Sequence, residues 1–257
     1  MERREFLKLS AAAASVITPN FDIWKPQPID NEKILYTFDD NPFDPERMKK
    51  LVEILKENRC KSQFYLTGEG MRRYPESVEY LLSNGYDIGW HSMEHDVMSR
   101  KSDSDFAADV VTWKKTLKEI APSFAPQWAR FPYGRGKYRE IKILHEEGLY
   151  LQRCATKGAC GSNWDVDTLD WNPYRVLSAR RICSMVSHIQ SRHSNPAVIL
   201  FHLSLGKPLI YSSLSHHRTR SGDYVVPESV YTGQSDVFQN VVSHLCGNYI
   251  SPLPSLY

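Results

Sequence analysis

Short apolar runs alternate with longer segments of helical periodicity from residue 33 onward. The apolar runs are rich in β-branched and aromatic residues, which predicts strands at 34–39, 62–67, 86–90, 128–131, 163–168 and 197–201. Strands separated by helices of ten or more residues form parallel sheets, and about seven such units favour a barrel over an open sheet. The pattern therefore predicts an α/β fold of the barrel type.

The segments between these strands have apolar residues on one helical face. They predict a helix that opens at Pro45 and helices at 74–82, 106–120, 141–147, 176–189 and 237–245, with a last strand at 249–250. Residues 204–234 are rich in Ser, His, Arg and Gly and have no periodicity, which predicts a loop insertion. A loop of that length inside a compact domain is often functional or disordered.

The composition is that of an ordinary globular protein. Hydrophobic residues make up 41% of the 257 positions and charged residues 24%, which argues against disorder. No run of about 18 apolar residues occurs, so we expect no membrane span. The net charge of +2 is far below the basic field of a nucleic-acid binder, so nucleic acid is not an expected partner.

The first residues predict an export signal. Arg3 and Arg4 precede a Phe-Leu-Lys run and a stretch of small residues, an order that resembles the bacterial twin-arginine signal. A basic amphipathic helix is the alternative. We expect residues 1–29 to be a signal and linker read by the twin-arginine machinery, residues 30–257 to be the mature domain, and the protein to reach the periplasm or cell envelope of a bacterium.

Five cysteines are scattered along the chain without a C-x-x-C pair, which indicates neither a zinc knuckle nor a thioredoxin-like motif. Cys154 and Cys160 are near enough in sequence to bridge a loop in an oxidising compartment. Twin-arginine cargo folds before export, however, so the sequence leaves this disulfide open.

Polar motifs close three of the predicted strands. Asp39 and Asp40 end the first, His91 and His95 follow the third, and His202 follows the last. Each motif alone is weak, because an Asp pair is typical of a solvated turn and most His-x-x-x-His pairs bind no metal. The carboxyl ends of parallel barrel strands meet at one face, however. Two imidazoles and a carboxylate leave coordination positions open, as a catalytic metal requires.

Five segments in this order resemble the motifs of the polysaccharide deacetylase family, the NodB-homology carbohydrate esterases. They are TFDD at 37–40, HSMEH at 91–95, RFPYG at 130–134, DTLDW at 167–171 and LFH at 200–202. The resemblance implies a distorted (β/α)7-type barrel and the metal-dependent removal of N-acetyl groups from an amino-sugar polysaccharide, such as peptidoglycan or another N-acetylglucosamine glycan. One departure is Asn41, where the family has glycine. We expect Asn41 to adopt the positive φ of that turn.

The resemblance also implies a role for the residues of the first three motifs. Asp40, His91 and His95 would hold a divalent metal, with Zn²⁺ as the default and Co²⁺, Ni²⁺ or Mn²⁺ as alternatives. Asp39 would act as the general base that takes a proton from the attacking water. Arg130 would pair with Asp39 and keep it ionised.

The general acid and the substrate contacts follow from the last motifs in the same way. His202 would protonate the departing amine, with Asp167 holding its imidazole in the required tautomer. Two neighbouring carboxylates, Asp165 and Asp170, could equally be turn residues. The backbone N–H of Tyr133 would stabilise the oxyanion, and an apolar slot for the acetyl methyl would be formed by Trp171 and Leu200.

Two other functions remain open from the sequence. Similar sites also cleave esters, so the chain could be an O-deacetylase that acts on xylan or another acetylated glycan. A catalytically idle barrel that binds glycan is the alternative from a different class, with Asn41 and the insertion at 204–234 as its support.

Overall fold

Seven parallel strands form one sheet in the computed structural model, which describes residues 29–156, 163–172, 175 and 177–203. The strands are β1 (Ile34–Asp40), β2 (Ser62–Leu66), β3 (Asp87–Trp90), β4 (Trp128–Ala129), β5 (Tyr150–Leu151), β6 (Val166–Asp167) and β7 (Ala197–His202). Their order across the sheet is β5-β4-β3-β2-β1-β7-β6. The predicted export signal, the insertion at 204–234, the elements at 237–250 and Cys160 lie outside the described residues.

Helices connect most of these strands. They are α1 (Pro45–Glu57), α2 (Gly68–Arg73), α3 (Pro75–Ser83), α4 (Asp103–Ile120), α5 (Tyr138–Glu146) and α6 (Ala179–Gln190). Four of them begin where a side-chain oxygen accepts a backbone N–H of the first turn, which stabilises that turn; the capping residues are Asp44, Thr67, Ser102 and Ser178. No helix in the described ranges combines the length and apolarity needed to cross a membrane.

The six predicted strands are confirmed, but the sequence pattern missed β5 and α2. β5 has only two residues, too few to show an alternation, and one of them, Tyr150, is exposed. α2 contains Gly68 and Gly70, which disfavour helix, and its N-cap Thr67 was predicted as the last residue of a strand. Both elements are therefore fixed by tertiary contacts rather than by local propensity.

Alternate residues along the central strands face two different environments, as the period of a β-strand requires. One face carries large apolar side chains of the main core cluster: Tyr36, Phe38, Phe64, Ile199 and Phe201. The ring of Phe38 stacks at 5.0 Å from that of Phe64 and at 5.5 Å from that of Phe201. The opposite face is also buried but mixed in character, with Thr37, Asp39, Gln63, Tyr65 and Leu200. This second face is the barrel interior.

The edge strands β5 and β6 are joined by a carboxylate instead of a strand ladder. Asp165, just before β6, accepts the backbone N–H of Ala155 at 2.9 Å and of Thr156 at 2.8 Å, both shortly after β5. It also accepts the N–H of Val198 on β7 at 2.9 Å. The fold is thus the predicted distorted (β/α)7 barrel, and Asp165 is a structural turn carboxylate.

Candidate active site

The chemically active side chains gather at the carboxyl ends of the strands, as predicted. Asp39 and Asp40 end β1, His91 directly follows β3, Arg130 directly follows β4, and His202 ends β7. The parallel register of β1 and β7 places Asp39 beside His202. Residues that are far apart in sequence therefore share one end of the barrel.

Three of these side chains form a cluster that can hold a metal ion. The Oδ1 atom of Asp40 lies 3.4 Å from Nε2 of His91 and 3.2 Å from Nε2 of His95. All three potential ligand atoms lie within 4.8 Å of one another. The structure thus brings together the three residues that the sequence predicted as ligands.

The protonation pattern of the cluster fits a divalent cation. Nδ1 of His91 lies 2.9 Å from the carbonyl oxygen of Arg130, which can only accept, so this nitrogen carries the proton and Nε2 presents a lone pair to Asp40. The buried Oδ1 of Asp40 accepts no hydrogen bond from any described residue. Burial and the neighbouring His91 lower the pKa of His95, which favours its neutral, ligating form. Lone pairs that converge without a proton between them are what a cation satisfies.

Asp40 is itself held as a carboxylate. Burial alone would disfavour its charge, but the neighbouring imidazoles of His91, His202 and His95 hold its pKa well below its usual range. Asp40 also has the left-handed φ of 83° that turns the chain after β1. The expectation that Asn41 takes this conformation is wrong, because Asn41 is not among the positive-φ residues. Its Oδ1 instead accepts a hydrogen bond from the hydroxyl of Thr67 at the start of α2.

The start of α2 holds the loop between the two histidines. The N–H of Gly68 donates to the carbonyl oxygen of Ser92 at 2.9 Å, and the N–H of Glu69 donates to that of Met93 at 2.9 Å. A Cβ atom on Gly68 would lie 2.2 Å from Sδ of Met93, so only glycine permits this approach. Ser92 and His95 both have positive φ, which gives the loop its unusual path.

Asp39 forms the predicted buried ion pair. Nη1 of Arg130 lies 2.6 Å from Oδ1 of Asp39 and also donates to the hydroxyl of Thr37 at 2.8 Å. Nη2 donates to the carbonyl oxygen of Asn163 at 2.9 Å, and the guanidinium lies 4.1 Å from the ring centroid of Tyr65. The other oxygen of Asp39, Oδ2, stays on the side of the metal cluster, 3.7 Å from Nε2 of His91.

The imidazole of His202 is oriented by Asp170, and the prediction of Asp167 in this role is wrong. Oδ1 of Asp170 lies 2.7 Å from Nδ1 of His202, and Oδ2 accepts the backbone N–H of the same residue at 2.9 Å. Asp167 instead accepts the N–H of Leu169 at 2.8 Å and a hydrogen bond from the side chain of Trp171. The left-handed turn at Leu169, with φ of 57°, swings Asp170 back towards β7.

Asp170 also sets the charge state of His202. Burial disfavours the imidazolium, but the hydrogen bond and charge of Asp170, together with the charges of Asp40 and Asp39, outweigh burial and raise the pKa of His202 to about 9. The ring is therefore protonated at neutral pH. Asp170 binds its Nδ1–H and does not bind its Nε2–H.

The three predicted substrate contacts differ in exposure. Tyr133 has a φ of 59° and is 58% exposed, with its ring centroid 4.6 Å from that of His95. No described residue accepts the backbone N–H of Tyr133. Leu200 is buried on β7 opposite Asp167, and Trp171 is half-buried after Asp170. The sequence also missed Tyr65 and Trp164, whose rings flank the Arg130 guanidinium.

Known proteins resemble this chain in sequence. Residues 27–151 match the family model described as polysaccharide deacetylase. A peptidoglycan-N-acetylglucosamine deacetylase of Bacillus cereus is 27% identical over 144 residues, which make up 56% of this chain and 48% of that protein. The chain therefore spans about half the length of this relative.

Solved structures show the same barrel. A peptidoglycan N-acetylglucosamine deacetylase in complex with a benzamide is 26% identical, with a TM-score of 0.51 over 68% of this chain and 74% of that one. A family 4 carbohydrate esterase from Streptomyces lividans in complex with acetate has a TM-score of 0.56 and covers 83% of this chain and 88% of that one. Its identity of 19% supports the fold alone.

Proposed function

Because the chain belongs to the polysaccharide deacetylase family through residues 27–151, we propose that it is a metal-dependent hydrolase that removes N-acetyl groups from the amino sugars of a polysaccharide. The observation that carries this proposal is the convergence, at one end of the barrel, of three metal-ligating side chains, a buried carboxylate–guanidinium pair and a carboxylate–imidazole pair. The peptidoglycan-N-acetylglucosamine deacetylase among its relatives favours a glycan that contains N-acetylglucosamine, such as peptidoglycan, as the substrate.

Asp40, His91 and His95 would hold the metal. One carboxylate and two imidazoles suit Zn²⁺ best, and Co²⁺, Ni²⁺ or Mn²⁺ are the alternatives. When bound, the cation supplies Lewis acidity, which lowers the pKa of water and polarises the acetamide carbonyl.

Asp39 is the general base in this proposal. Its Oδ1 is occupied by Arg130, so Oδ2, on the side of the metal cluster, is the atom that takes the proton from the attacking water. The guanidinium next to it forms a buried ion pair with this carboxylate. Arg130 is in turn fixed by Thr37 and Asn163, so the base has one orientation.

His202 is the general acid. Asp170 holds the proton on Nδ1, so Nε2–H faces the substrate and donates to the departing nitrogen. Cleavage of an amide requires this proton because an amide anion is a very poor leaving group. The backbone N–H of Tyr133, which no described residue accepts, would stabilise the oxyanion, a contribution of about 3 kcal/mol per donor. Trp171 and Leu200 would line the slot for the acetyl methyl, with Trp171 positioned by Asp167.

We also propose that the protein acts outside the cytoplasm, in the periplasm or cell envelope. The paired Arg3 and Arg4 support export by the twin-arginine machinery, with residues 1–29 as the signal and linker and residues 30–257 as the deacetylase domain. Peptidoglycan would be within reach in that compartment.

Acetate release from a panel of substrates tests this proposal. We expect the purified protein to release acetate from N-acetylglucosamine oligomers and from peptidoglycan, but not from acetylated xylan. The variant His95→Gln, which loses a ligand, serves as the inactive control. Release from acetylated xylan alone would favour the O-deacetylase. No release from any substrate by a protein with bound metal would favour a barrel that only binds glycan.

A further inference from the structure

A buried carboxylate lies directly behind the loop that carries His91 and His95. Asp109 is on α4 and only 6% exposed, on the helix face that otherwise buries Phe106, Val110 and Trp113 in the core. A carboxylate in such a position is costly unless it is hydrogen bonded. Its partners therefore indicate why it is there.

Asp109 binds the chain on both sides of His91. Its Oδ1 accepts the indole N–H of Trp90 at 3.1 Å, and its Oδ2 accepts the backbone N–H of Met93 at 3.2 Å. Trp90 immediately precedes His91, and Met93 lies between the two histidines. One side chain from a neighbouring helix thus fixes the strand end and the middle of the loop.

Lys101 extends this connection past the second histidine. Its ammonium lies 3.3 Å from Oδ2 of Asp109 and 2.8 Å from Oδ2 of Asp96, the residue after His95. The series Met93, Asp109, Lys101 and Asp96 therefore ties the loop at its middle and at its end. Each of these contacts involves a charged group, which makes the hydrogen bonds stronger than neutral ones.

His95 depends on such external support more than His91 does. Nδ1 of His91 is fixed by the carbonyl oxygen of Arg130. Within the described part of the chain, no hydrogen bond reaches Nδ1 of His95, whose ring lies beside the rings of His91 and Tyr133 and the carboxylate of Asp40. His95 also has a φ of 58°, in the left-handed region that is unfavourable for a residue other than glycine. The loop backbone must therefore hold this ligand in place.

We propose that Asp109 is a positioning residue for the metal site, and that with Lys101 it holds loop 91–96 so that Nε2 of His95 faces Asp40. This inference rests on the metal site of the proposed function. Neither residue touches the ligand atoms. Removal of the partner that orients a metal ligand typically lowers metal affinity about 10- to 100-fold.

The variant Asp109→Asn tests the role directly. Asparagine keeps the size of the side chain, but it replaces one of the two accepting oxygens with an NH2 group. Either the indole N–H of Trp90 or the backbone N–H of Met93 then loses its acceptor. We expect the affinity for Zn²⁺, measured by competition with a chromogenic chelator, to fall about 10- to 100-fold. The thermal unfolding of the metal-free protein, measured in parallel, separates this loss from a loss of fold.

Thr116→Val is the matched control on the same helix. Thr116 is buried, and its hydroxyl accepts a hydrogen bond from Nη2 of Arg72 on α2 at 3.1 Å and not from a residue of loop 91–96. We expect this variant to be less stable but to bind Zn²⁺ as tightly as the wild type. If Asp109→Asn behaves like this control, Asp109 is a purely structural residue and the inference is wrong.

Lys101→Met keeps the inference testable if Asp109→Asn does not fold, because the Lys101 side chain is 25% exposed. We expect Lys101→Met to lower the Zn²⁺ affinity several-fold. When it is combined with Asp109→Asn, we expect little loss of affinity beyond that of Asp109→Asn alone, since both residues act through one loop. An unchanged affinity in Lys101→Met would contradict the linkage. A wild-type protein that binds Zn²⁺ but releases no acetate would contradict only the proposed function.

Discussion

Asp39→Asn is expected to lower kcat by about 10²- to 10⁴-fold while the protein still binds Zn²⁺. The amide cannot take the proton that Oδ2 of the carboxylate would accept. The metal cluster should survive, because Asp39 is not one of its three residues. Its Oδ2 lies 3.7 Å from Nε2 of His91, and Asp40, His91 and His95 are unchanged. Single-turnover acetate release and metal content, measured on the same preparation, check both halves of this expectation.

Asp39→Asn also removes the counter-charge of Arg130, so this variant needs a control for lost stability. Removing one partner of a buried ion pair costs about 3–5 kcal/mol of stability, so the melting temperature should fall. Thr37→Val removes another acceptor of the same guanidinium and leaves the carboxylate in place. We expect Thr37→Val to be destabilised but to retain most of its activity. Equal loss of kcat in the two variants, or wild-type kcat in Asp39→Asn, would contradict the assignment of the base.

Asp170→Asn is expected to lower kcat by about 10²-fold or more and to move the alkaline limb of the pH profile to lower pH. The acid form of His202 is present below its pKa of about 9 and is lost as the pH rises through that value. Without the charge of Asp170, the pKa of His202 falls, so activity is lost at a lower pH. The pH dependence of kcat/KM measures this limb.

Asp167→Asn is the matched control, because Asp167 lies in the same segment, 167–171, and does not bind the imidazole. It accepts hydrogen bonds from Leu169 and Trp171, so we expect its effect to fall on KM and not on the position of the alkaline limb. The opposite pattern, with the limb moved by Asp167→Asn and unmoved by Asp170→Asn, would show that the imidazole is oriented as the sequence alone predicted.

The metal cluster could be predicted from the sequence because its signals are local. β1 shows a clear apolar run that ends in Asp39 and Asp40, and His91 and His95 have ligand spacing after another strand. In a parallel barrel the carboxyl ends of all strands lie at one face, so no further sequence signal is needed to bring these residues together. The pairing of Asp39 with Arg130 followed from the family resemblance, but the stacking of Arg130 on Tyr65 did not, since nothing in the sequence relates these two positions.

The partner of His202 could not be predicted because it depends on a single backbone torsion. The sequence favoured Asp167 over Asp170, and it does not show the left-handed turn at Leu169, unusual for leucine, that brings Asp170 to the imidazole. Asp109 is a different case. It occupies a position of the apolar stripe of α4, three residues after Phe106, so a polar residue at a core position was a readable signal.

The most direct test of the account is the metal dependence of acetate release from N-acetylglucosamine oligomers. We expect dialysis against a chelator to abolish release, about one equivalent of Zn²⁺ per chain to restore it, and no metal to restore the variant His95→Gln. Release that persists unchanged in the chelated protein would contradict a catalytic metal at Asp40, His91 and His95, and with it the proposed deacetylase chemistry.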